Sequence, residues 1–96
     1  MKYMIKVFWD DQTKLPGIVT KVVTVFSNPP EGVKRLCSYS VIGGYAAYSV
    51  YEADNEVALT KYAAALGIVG LKTEVMPVID TEAGIKALLE QAKALS

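Results

Sequence analysis

The chain contains no histidine and a single cysteine, Cys37. Without histidine there is no Ser-His-Asp or Cys-His arrangement for nucleophilic catalysis. A histidine ligand to haem and a zinc site of the usual Cys/His kind are excluded as well. One cysteine permits no intrachain disulfide. An excess of one charge is also missing, since ten basic and ten acidic residues cancel. With no basic run to neutralise phosphates, nucleic acid is not a predicted partner, nor is an anionic membrane surface. No segment approaches the roughly 18 apolar residues of a membrane span. The opening MKYMIKVFWDD alternates and carries Lys6, unlike the continuous apolar stretch of a signal peptide. A soluble cytoplasmic protein is the expected class. Carboxylates alone can hold magnesium or calcium, but no acidic cluster of that pattern is present, so no metal and no cofactor is predicted.

What is present is apolar. Apolar residues make up 52% of the chain against 21% charged, which is a globular composition. The 96 residues have room for one core, so a single domain over 1–96 is expected. A chain this short buries only about 60 to 70% of the surface its unfolded form exposes.

Lys2 to Trp9 is predicted as strand one, with Tyr3, Ile5, Val7 and Trp9 on one face and Met4, Lys6 and Phe8 on the other. DDQTK is a polar connection. From Pro16 to about Phe26, Ile18, Val22, Val25 and Phe26 recur at helical spacing, and Pro16 suits a first turn that needs no backbone donor. The β-branched run IVTKVVTVF argues for a strand instead; the helix is the reading adopted. SNPPEG interrupts both kinds of structure. Val33 to Val41 reads as strand two, IGGY as a tight reversal, and Tyr45 to Glu52 as strand three of an antiparallel hairpin. Asp54 suits the N-cap of a helix over Asn55 to Leu66, with Leu59, Tyr62, Ala63 and Leu66 on one side and Gly67 at its C-terminal cap. Leu71 to about Ile79 is strand four. Asp80 or Thr81 then caps a last helix whose apolar stripe is Ile85, Leu88, Leu89, Ala92 and Leu95. The order β-α-β-β-α-β plus a C-terminal helix is the split βαβ, or ferredoxin-like, arrangement: an α+β fold with an antiparallel sheet.

Two helices cover one face of such a sheet, and the other face should read polar. Here Met4, Phe8, Met76 and Val78 share the second face with Lys6, Lys72 and Glu74, and strand three stays apolar on both sides until Glu52. That surface exceeds the few hundred Å² of contiguous apolar area usual on a soluble monomer. The predicted partner is a second copy, sheet facing sheet, in a homodimer that closes an eight-stranded barrel-like sandwich.

The segments NPPEGVKRLCSYSVIGGYAAYSVYEADN and LKTEVMPVIDTEAGIKALL resemble a family of small proteins, domain of unknown function 3303, itself similar to the dimeric α+β barrel superfamily. The matching elements are PPEGVK at Pro29 to Lys34, Gly43-Gly44, EAD at Glu52 to Asp54, and EVMPVID at Glu74 to Asp80. The resemblance implies a dimeric α+β barrel and carries no assigned activity. The wider superfamily includes cofactor-free monooxygenases, lactone isomerases, haem-degrading enzymes and ligand-sensing domains, and fold analogy does not choose among them.

Six residues are candidates for a ligand site on the open face: Lys6, Phe8, Tyr48, Glu52, Glu74 and Met76. Lys6 is suited to hold an anionic or carbonyl group, with a carboxylate as base. The plainer reading is a Lys-Glu cross-strand pair at a dimer rim. Because sites in the superfamily also lie between sheet and helices, the resemblance adds Tyr3, Trp9 and Tyr51 as an alternative pocket. The six tyrosines suit an aromatic cleft, yet tyrosine fills strands regardless of function. Cys37 is expected as a buried small hydrophobe, on the face of Arg35 and not of Lys34. VIGGY is a hairpin turn and not a phosphate loop, because a strand and not a helix follows it. Three functions remain. A homodimeric module binding a small apolar or aromatic metabolite is preferred. The alternatives are a cofactor-independent monooxygenase or isomerase, and a structural protein whose barrel is filled by its own side chains.

Overall fold

The computed structural model describes residues 1–9 and 15–96, so the connection DDQTK lies outside the described residues. The elements are β1 (Lys2–Phe8), α1 (Leu15–Ser27), β2 (Val33–Ser40), β3 (Ala46–Ala53), α2 (Glu56–Ile68), β4 (Lys72–Val78) and α3 (Thr81–Leu95). They form one antiparallel sheet of order β2-β3-β1-β4. With this chain order, that is the ferredoxin-like α+β fold expected from the element pattern.

Strict alternation in β1 decides which face is covered. Tyr3, Ile5 and Val7 are buried, while Met4, Lys6 and Phe8 between them are half-exposed. Onto the first set α2 lowers Leu59, Tyr62 and Leu66, and Val33, Tyr51, Ala53 and Leu71 complete the cluster. Burying a large apolar side chain such as Ile5 or Leu66 contributes about 1.5–3 kcal/mol. Val22 and Val25 of α1 pack against the same cluster. This contact explains why the β-branched segment is helical: restricted χ1 freedom costs only tenths of a kcal/mol per residue, about an order of magnitude below the packing it obtains.

The end of α1 is satisfied from a distance. The helix has no basic residue in its last turn. Arg35 of β2 instead donates from Nη1 to the Phe26 carbonyl at 2.6 Å and stacks its guanidinium 3.8 Å from the centroid of the Phe26 ring. A register shift between Arg35 and Cys37 follows. The bulge moves Cys37 opposite Val50 on the uncovered face, away from Arg35. The expected placement of Cys37 with Arg35 is therefore corrected: one extra residue reverses every later side chain of the strand.

The caps of α2 also differ from expectation by small steps. Asn55, not Asp54, is the N-cap, its side chain accepting from the Ala58 amide at 2.8 Å. Asp54 stays outside the helix, its amide bonded to the Gly32 carbonyl at 2.8 Å. At the other end Gly67 remains helical, and Gly70 with φ +112° ends the helix. Leu71 donates to the Leu66 carbonyl and Gly70 to that of Gly67, both at 3.1 Å. This is a Schellman closure, and the buried side chains of Leu66 and Leu71 supply its apolar contact. The β2–β3 hairpin closes through Val41 donating to the Ala46 carbonyl at 3.0 Å, so β3 starts at Ala46 and Tyr45 belongs to the turn.

α3 stands apart. It buries no residue, and Asp80 at its N-cap makes no side-chain capping bond but pairs with Lys2 Nζ at 3.3 Å. The radius of gyration is 16.2 Å, whereas a compact chain of this length gives about 12–13 Å. Among the described residues, no helix is long and apolar enough to cross a membrane.

A side chain at Gly70 meets a backbone conformation that L-residues rarely adopt, and its Cβ would lie 2.9 Å from Ile18 Cδ1. Gly70→Ala is expected to lower stability by about 1–3 kcal/mol, seen as a lower urea midpoint with unchanged m-value. An unchanged midpoint contradicts the helix-closing role.

Candidate functional site

Strand register arranges the uncovered face into rows that run across the sheet. Lys34, Glu52, Lys2 and Val78 form one row, from β2 through β3 and β1 to β4. Cys37, Val50, Met4 and Met76 form the next, which is wholly apolar. Tyr39, Tyr48, Lys6 and Glu74 form the third, and Phe8 lies beyond it between Ala46 and Lys72. Five of the six open-face candidates, Lys6, Phe8, Tyr48, Glu74 and Met76, are thus gathered around the third row. Glu52 is not: it lies two rows away and accepts from the Met1 amino group at 2.9 Å.

Lys6 is the chemical centre of this face. Its Nζ lies 5.0 Å from the Phe8 ring centroid and 5.9 Å from that of Tyr48. Although Glu74 is its cross-strand neighbour, no ion pair joins them. The expected Lys-Glu pair is replaced by a cation held over two aromatic faces. An ammonium so placed keeps donors for an incoming oxygen, while the rings and Met4 offer a flat apolar bed. Tyr39, 72% exposed, and Tyr48 stand side by side at the β2 end of the row.

The covered side carries a different polar device. Tyr51 and Tyr62 are buried edge to face, ring centroids 5.1 Å apart, with their hydroxyls 2.9 Å apart. Tyr62 donates to the Phe26 carbonyl at 3.3 Å, which leaves its oxygen to accept from Tyr51. Burial pushes the Tyr62 phenol well above its usual range, and the Tyr51 hydrogen bond adds to this, against a smaller opposing influence of Arg35. Ser49, also buried, joins its hydroxyl to that of Ser38 at 2.7 Å.

The alternative trio on this side does not meet in one place. Tyr3 and Tyr51 are register partners, but Trp9 lies six residues along from Tyr3, about 20 Å away at about 3.4 Å per residue. There it pairs with Tyr45 at 6.4 Å between ring centroids, its indole N–H buried without an acceptor. Tyr3 borders an open depression of about 330 Å³ with Leu59, Val75 and Pro77. Tyr62 borders another of about 310 Å³ between α1 and α2, and a third of about 490 Å³ surrounds Gly32 and Asn55. None of these three is lined by Lys6, Phe8, Tyr48 or Glu74.

The DUF3303 family, described as a domain of unknown function, matches residues 1–92. The chain belongs to this family. No curated protein matches it. Among solved structures it is similar to Rv0793 from Mycobacterium tuberculosis, with TM-score 0.52 and 12% identity over 82% of this chain and 95% of that one. It is also similar to prephenate dehydratase from Streptococcus mutans, with TM-score 0.55 and 18% identity over 78% of this chain. The enzyme from Staphylococcus aureus gives 0.51 and 17% over 78%. This chain spans only 40% and 28% of those two dehydratases. At such identities the likeness is one of fold, in agreement with the strand order.

For this DUF3303 protein the missed residues were Arg35 and Tyr39. Arg35 reaches its helix-end role only through a bulge, and Tyr39 joins Tyr48 only through the register after it; neither leaves a local mark in the sequence. Tyr62 gives the sharpest check on the covered side. Tyr62→Phe strands the Tyr51 hydroxyl and is expected to cost about 1–3 kcal/mol. Because the folded phenol titrates above the unfolded one, its stabilising effect is complete below about pH 10 and declines as pH rises further. Urea melts at stepped alkaline pH are therefore expected to fall less steeply for Tyr62→Phe than for the wild type. Equal slopes contradict the assignment.

Proposed function

We propose that this protein is a homodimeric binding module that holds a small apolar or aromatic metabolite between two copies of the uncovered sheet face. The observation that carries the reading is Lys6, a cation over Phe8 and Tyr48 beside the apolar row of the face, without an ion-pair partner among the described residues. Such a cation needs an anion or a carbonyl when water is excluded, because an unpaired buried charge costs several kcal/mol.

The rows support a particular two-fold arrangement. An axis running along the strands, between β3 and β1, lays each row on its own reverse. Glu52 then meets Lys2 of the second copy, Tyr48 meets Lys6, Tyr39 meets Glu74, and the apolar row meets itself. An axis across the strands lays β1 on β1, so that Lys6 falls on Lys6, Lys2, Met4 or Phe8 according to register. The first arrangement opposes Glu52 to Lys2 and Tyr48 to Lys6 and leaves Lys34 facing Val78, whereas the second, in the registers that lay Lys6 on Lys6 or Lys2, opposes like charges, which favours the first. Sheets packed in this way stand about 10 Å apart with strands within about 30° of alignment, and eight strands leave room for one small ligand. The single ligand in this reading lies at the two-fold axis among Lys6, Phe8 and Tyr48 of both copies, with Met76 and Glu74 at its margin.

Native mass spectrometry of gently purified protein tests the proposal. The expected result is two chains plus a discrete additional component, lost in Lys6→Met while the two-chain mass remains. A component retained by Lys6→Met, or never found, contradicts a ligand held at Lys6.

A further inference from the structure

We propose that α3 is a dimerisation arm: in the sheet-to-sheet pair just described, on which this inference rests, the two α3 helices pair with each other in parallel. Three observations carry it. The first is the spacing of the stripe. Ile85, Leu88, Ala92 and Leu95 recur at i, i+3, i+7 and i+10, a two-stranded seam with Ile at the first a position and Leu at both d positions. The charged residues Glu82, Lys86, Glu90 and Lys93 all lie off that seam, so pairing buries no charge. The second is exposure. Leu88 and Leu95 are 71% and 77% exposed and α3 buries nothing against its own domain, although a helix of 15 residues is marginal in water without a packing partner.

The third is geometry. β4 ends at the Lys2–Val78 row, and only Ile79 and Asp80 separate it from α3. With the two-fold axis along the strands, both copies of α3 leave the same end of the sandwich. Their starting points lie about 14 Å apart across the sheets and about 10 Å apart between them, so roughly 17 Å in all. Paired helices lie about 8–10 Å apart, a convergence that the two connecting residues can supply. Once the sheets are joined, the helices face each other at an effective concentration of order millimolar, which offsets the shortness of the seam.

Area favours the arm. Four strands about 4.8 Å apart and seven residues long at about 3.4 Å per residue cover roughly 450 Å². A specific interface takes about 800 Å² from each partner. The footprint of the sheet is smaller than that, and the exposed stripe of α3 lies at the edge where further contact is available.

The test is disulfide trapping of the full chain. Under mild oxidation Leu88→Cys is expected to form a covalent dimer at least tenfold faster than Lys86→Cys, whose side chain points off the seam. The wild type, with Cys37 near the β2 edge and far from its symmetry mate, should form none. Equal rates for the two variants indicate random collision and overturn the pairing. If Leu88→Cys fails to link while native mass spectrometry still gives two chains, the sheet-to-sheet dimer stands and the α3 pairing is overturned. If it fails and the mass is one chain, both are overturned.

Discussion

A four-stranded sheet has two faces, and α1 and α2 cover one of them. The rest of the molecule follows from that constraint. β1 is central, paired on both sides, and its alternation sends Tyr3, Ile5 and Val7 into the core while Met4, Lys6 and Phe8 emerge on the opposite side. The covered face is closed with care: buried hydroxyls answer one another, and the end of α1 is tied to β2 and α2 through one carbonyl oxygen of Phe26. The uncovered face shows the inverse economy. Its central row is apolar, with Lys6 beside that row and most of its other charges at the margins, the profile of an interface between proteins more than of a solvated surface.

The two apolar surfaces left without a cover, the sheet face and the α3 stripe, are joined by two residues. In the proposed dimer a second copy would cover both at once. Lys6 then acquires its meaning from its surroundings. On a solvated surface, an ammonium over two rings is an ordinary cation–π contact worth under about 1 kcal/mol. Between two sheets the same group is a strong electrostatic anchor, because water no longer competes for it.

Most of the fold was legible because its elements have clean periods. Period two in β1 separated the faces, and the stripe Leu59, Tyr62 and Leu66 identified the buried side of α2. The misreadings have local physical causes. Asp54 and Asn55 are both competent caps, and the choice was made by the bond from Asp54 to Gly32, a contact remote in sequence. Gly67 and Gly70 are both plausible ends, and the helix runs on until Leu71 can bury itself beside Leu66. The bulge at Leu36 carries no glycine or proline to announce it, yet it decides which side Cys37 and Tyr39 occupy. The site was legible as a set of residues on one face, but its rows depend on register, which arises from pairing between strands.

In the proposed assembly a second copy of the chain occupies the uncovered face of the sheet. Sedimentation equilibrium at micromolar concentration, comparing the wild type with Met4→Glu in the middle of the apolar row, tests it most directly. Twice the 10.4 kDa chain mass is expected for the wild type, with a shift to the single-chain mass for the variant. A wild type that sediments as one chain contradicts it.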